Sequence, residues 1–120
     1  MKLTVQDFKN AVILFESVIM DRYSEPADKG ALGVAFFDNA ARIDEGISKV
    51  AEDGMVDCEK MRGRVNAFLK GAGGEFAIPA KVPALARLLG VTIDKIAITQ
   101  GDADIFFDSI VPSVAQAAGQ

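Results

Sequence analysis

Apolar residues recur at helical spacing along most of this chain, and the longest such stretch runs from Leu32 to Val50. Leu32, Phe36, Ala40, Ile43, Ile47 and Val50 follow one another in steps of four, four, three, four and three, which draws one stripe down one helix face. Charges hold the other faces, and Asp38→Arg42 and Glu45→Lys49 stand at i,i+4 in the favourable acid-first order. The spacing predicts a helix of about 20 residues, about 30 Å long. Gly30 and Gly33 each cost roughly 1 kcal/mol in a helix interior, so the helix is expected to start near Ala31 or to break at Asp38, itself a good cap. Glu52-Asp53-Gly54 closes the helix, with Gly54 as a left-handed terminator.

The flanking segments carry similar stripes. Thr4 caps a first helix, and Val5, Phe8, Val12, Phe15 and Ile19 line one side of it down to the turn at Ser24-Glu25-Pro26. Asp57 caps a third, whose inward residues are Cys58, Met61, Val65, Phe68 and Ala72, and Gly71-Ala72-Gly73-Gly74 stops it. Val82–Gly90 reads as a further helix, and Ile105–Val111 as the start of a last one that Pro112 ends, kinks or restarts. Val91–Ile98 fits a strand by its Val/Ile/Thr content and a short helix by its spacing. The pattern predicts an all-α fold, an irregular bundle of five or six helices in a single domain over 1–120, with 115–120 frayed. The alternative is an α+β fold with a short two-stranded element near 76–78 and 96–98.

Two Phe-Phe pairs alter this picture. Neighbouring residues on a helix point about 100° apart, so one face does not hide both members of Phe36-Phe37 or of Phe106-Phe107. Half of the 120 residues are hydrophobic and mean hydropathy is +0.22, high for a chain with so much surface per volume. Both observations point to self-association, a homodimer being favoured. Ile13, Met20, Phe37 and Phe107 are the candidate interface residues, being the apolar residues left off the best stripes.

Charge is unevenly spread. The net value is −4, but residues 55–95 carry seven Lys/Arg against four Asp/Glu. Lys60, Arg62, Arg64, Lys70, Arg87 and Lys95 are therefore candidate contacts for an anion or nucleic acid. Pro83–Thr99, with Ala86, Gly90 and Ile96 at the positions that take a small residue, a turn glycine and a branched residue, resembles a helix–turn–helix of the repressor kind. The resemblance implies a DNA-binding regulator, yet the exposed positions of its second helix would be Thr92, Ile93, Asp94, Ala97, Ile98 and Gly101. Base edges are read by Arg, Lys, Asn or Gln, so nucleic acid is not the expected partner.

Other chemistry is sparse. There is no histidine and one cysteine, Cys58, which lies on an apolar stripe without a general base. Asp102, Asp104 and Asp108 have calcium-loop spacing, but Phe107 stands where the loop requires glycine and Ser113 where it requires glutamate. No catalytic motif, cofactor fingerprint or metal set emerges, and the glycine run is not a phosphate loop. The chain shows no leader peptide, since Glu16 ends the apolar run Ala11–Phe15, and no membrane span. The expectation is a cytoplasmic, non-catalytic helical protein that self-associates and binds a protein or a small apolar ligand.

Overall fold

The computed structural model describes residues 1–79, 88, 93 and 95–119. In order they form β1 (Lys2–Thr4), α1 (Val5–Met20), α2 (Pro26–Val50), β2 (Met55–Asp57), α3 (Cys58–Gly71), β3 (Glu75–Pro79), β4 (Lys95–Thr99), α4 (Gln100–Ile105), a π-helical turn (Phe106–Ile110) and α5 (Val111–Ala117). The architecture is mainly helical with two small antiparallel sheets, β1–β2 and β3–β4. Five or six separate helices are not what the described residues form. Helical backbone continues through the α4–π and π–α5 junctions, so α4, the π turn and α5 make one rod beside α1, α2 and α3. Among the described residues no helix is long and apolar enough to cross a membrane.

The caps work as side-chain chemistry requires. Thr4 Oγ1 accepts the Asp7 N–H at 3.1 Å, and Asp57 Oδ1 accepts those of Glu59 and Lys60 at 3.1 and 3.2 Å. At α4 the cap is Thr99. Thr99 Oγ1 accepts from the Asp102 N–H while the Asp102 carboxylate accepts from the Thr99 N–H, a reciprocal capping box.

Three departures from the sequence expectation have physical causes. First, α2 begins at Pro26, five residues before Ala31, and runs unbroken through Gly30, Gly33 and Asp38. Pro26 is preorganised for a first helical turn, and burial of Ala31, Leu32, Ala35 and Phe36 outweighs the glycine penalty. Second, α2 closes at Ala51, and Asp53-Gly54 forms a tight hairpin turn with φ of 54° and 73°. Glu52 and Met55 exchange both backbone hydrogen bonds across it, at 2.9 and 3.0 Å, which delivers β2 antiparallel to β1. Third, the chain stays helical past residue 115, where fraying was expected. Ala115 is 2 % exposed and packs with Val111 and Val114.

Pro112 explains the π turn that precedes α5. Proline has no N–H to donate and its ring crowds the carbonyl four residues back, so a regular helix would be strained there. The Val111 N–H instead reaches back five residues to the Phe106 carbonyl, which widens the turn ahead of the ring.

The second sheet follows the α+β alternative closely: Phe76 pairs with Ile98, Ala77 with Ala97 and Ile78 with Ile96. Lys95–Thr99 is thus a strand, which corrects the helix–turn–helix reading of 83–99 at its second helix. Strand register sets Phe76, Ile96 and Ile98 on one face by period-two alternation. The first helix of that motif lies, apart from Leu88, outside the described residues.

The core has two parts. One gathers Leu3, Phe8, Ala11, Val56 and the Phe106–Ala115 stretch where β1–β2, α1 and the last rod meet. The other gathers Ile19, Leu32, Ala35, Phe36 and Ile96 between α1, α2 and β4. Phe15 packs against both.

Candidate functional site

Between these two core clusters lies a cavity of about 580 Å³ that is broadly open to solvent. Four elements build its walls from residues that already serve the stripes: Phe8, Val12 and Phe15 from α1, Phe36, Ile43 and Ile47 from α2, Met61, Val65 and Phe68 from α3, and Phe106 with Phe107 from the π turn. Phe76 and Ile98 close the end formed by β3–β4. Aromatic edges set the shape: Phe106 meets Phe8, Phe15 and Phe107 edge-to-face at centroid distances of 5.5, 5.4 and 4.8 Å, and Phe68 meets Phe76 at 5.1 Å. Gly46 on α2 contributes bare backbone to the wall, and a Cβ built there meets nothing within 4 Å.

Among the described residues, two charged side chains line this space, Glu16 and Arg64. Glu16 is half-buried; burial, with Asp44 nearby, pushes its carboxyl above the usual glutamate value. Arg64 is exposed and makes no ion pair among the described residues. Arg64 and Met61 also line a second, smaller cleft of about 50 Å³, together with Lys2, Lys60, Glu52 and Asp57.

The structure distributes the candidate residues unevenly. Phe37 is 81 % exposed and Ile13 59 %, whereas Met20 is half-buried against the second core cluster. Phe107 is buried at 8 % and belongs to the cavity wall rather than to an outer face. The two Phe-Phe pairs thus resolve differently. Phe36 turns inward and Phe37 outward, while the wider π turn and the packing of α3 against the last rod bury both Phe106 and Phe107.

Among the basic candidates, Arg62 is consumed internally. Its guanidinium binds Asp108 through two hydrogen bonds of 2.5 and 3.1 Å and Asp104 through a third of 3.1 Å, and it lies 5.8 Å from the Phe107 ring centroid. Asp108 is accordingly held below the usual carboxylate range. Asp102 takes a bidentate contact from Arg22. Burial works against its ionisation, but the hydrogen bonds from Arg22 and the Thr99 backbone together outweigh it and lower its pKa. The three aspartates with calcium-loop spacing are therefore arginine partners, and among the described residues no group of three acids, Cys or His is placed to hold a metal. Lys60, Lys70 and Lys95 are exposed, and Arg87 lies outside the described residues. Cys58 is buried with its thiol 3.9 Å from the Val56 carbonyl, and burial raises its pKa.

The cavity itself was not anticipated. Its residues are spread from Phe8 to Phe107, and most of the helical ones read as core positions on their own stripes, whereas Phe107, Glu16 and Gly46 do not. The nearest signal was the surplus of large apolar residues over what single stripes accommodate. The chain matches no protein-family model, and neither the curated proteins nor the solved structures contain a significant match to it.

Proposed function

We propose that this protein binds a small apolar or amphiphilic molecule in the cavity between its two core clusters. The cavity carries the reading. Its volume falls within the range of roughly 300–1,000 Å³ typical of small-molecule sites, and it combines an apolar, aromatic wall with a small number of polar groups. Its apolar wall faces water, so a ligand that covers it removes apolar surface from solvent. Titration with monomeric decanol, followed through methyl NMR resonances, tests it. Val12, Ile43, Val65 and Ile98 should shift together, while Val111 and Val114, buried away from the cavity wall, should not. Shifts confined to the outer helix faces, or none at all, would refute the reading.

A second reading rests on a different observation. Phe37 is 81 % exposed, with Val34 one turn before it also exposed at 39 %, and a phenyl ring so open to water favours a partner surface. Self-association through the outer face of α2, with Ile13 of α1 as a further candidate contact, would cover it. Sedimentation across the micromolar range tests this; a monomer throughout would end it.

A further inference from the structure

We infer that the occupant of the cavity is a free single-chain amphiphile with an anionic head, its chain in the apolar cavity and its head in the cleft formed by Lys2, Lys60 and Arg64. The inference rests on the binding role proposed above and adds the chemical class and orientation of the ligand. Three observations support it. The apolar cavity and the small cleft share Met61 and Arg64, so the two spaces adjoin and these side chains stand at their boundary. Lys2, Lys60 and Arg64 are exposed, and none makes an ion pair among the described residues, whereas Arg22, Arg62, Lys9 and Lys49 are all matched with acids. Two acids, Glu52 and Asp57, share the cleft with the three cations, so its lining keeps one net positive charge, and Asp57 is turned toward the start of α3 by the backbone N–H groups it accepts. Glu16, half-buried in the cavity wall beside Asp44, makes its side repulsive to an anion and so sets the head toward Arg64.

Arginine suits the role because its planar fork binds a carboxylate in two parallel hydrogen bonds while its stem lies along apolar surface. The head remains partly solvated, so the charge selects among ligands and orients them, while the buried chain supplies most of the affinity.

Isothermal titration with decanoate, decanol and decyltrimethylammonium, each below its micelle concentration, separates the outcomes. Decanoate should bind tightest and decyltrimethylammonium weakest. Arg64→Gln should weaken decanoate roughly fivefold or more while leaving decanol within about twofold. Added salt should weaken decanoate alone. Equal affinity for decanoate and decanol, or indifference of decanoate to Arg64→Gln, overturns the head-group assignment and leaves the binding role intact. Preference for decyltrimethylammonium also overturns it and moves the head to Glu16. Failure of all three to bind overturns the binding role as well.

Discussion

Glu16 shows how one side chain reports on the cavity. It stands on α1 among apolar neighbours, with Asp44 of α2 nearby, and its carboxyl is raised above the ordinary value. A carboxyl whose folded pKa exceeds its unfolded one costs stability wherever both forms are ionised. That cost is fully present above the folded value and disappears as pH falls below the unfolded value of about 4.3. Glu16→Gln should therefore melt at higher temperature than the parent protein at pH 7, and the gap should close as pH approaches about 4. A gap independent of pH would show that burial of charge at Glu16 is not its cause. Asp102 has the opposite sign. Its folded pKa is lowered through Arg22 and Thr99, so it stabilises the fold above its unfolded value and loses that contribution as pH falls through the folded one.

The helices were legible to the extent that they carry a stripe and a cap. α1 starts after Thr4 and α3 after Asp57, as their side chains announce. The pairing of 76–78 with 96–98 was legible as an alternative because Val/Ile/Thr-rich runs favour strands. β1 and β2 were not legible, since three residues are too few to show an alternation and their pairing joins positions more than 50 residues apart. The early start of α2 was hidden for another reason: local propensity argued against Gly30 and Gly33, and tertiary burial overrode it. On α2 the outward Phe37 is also where an element-scale test applies. Phe37→Ser removes an exposed ring that makes no ring–ring contact among the described residues, so it should leave the melting temperature nearly unchanged while shifting the sedimentation profile toward monomer. An unchanged profile in a self-associating parent would place the interface elsewhere.

At the scale of the molecule, two properties emerge only when elements meet. The basic stretch 55–95 looked like an anion-binding face, but folding brings Arg62 against Asp104 and Asp108, and Lys60 and Arg64 join Lys2 where α3 meets β1 and β2. The apolar surplus likewise fails to close into one core. It forms two clusters hinged on Phe15, and the gap between them is the cavity. Spacing along the chain reveals which face of a helix is apolar, not whether two apolar faces touch.

Gly46 offers the most direct test of that gap as a binding site. It lies in the cavity wall, on a helix, with open space where a Cβ would stand. Gly46→Leu should gain about 1 kcal/mol of helix propensity and place a side chain in part of the cavity from α2. The account predicts a variant that melts several degrees higher and binds decanol more weakly than the parent protein does under the same conditions. A Gly46→Leu protein that folds and binds decanol as tightly as the parent would contradict it.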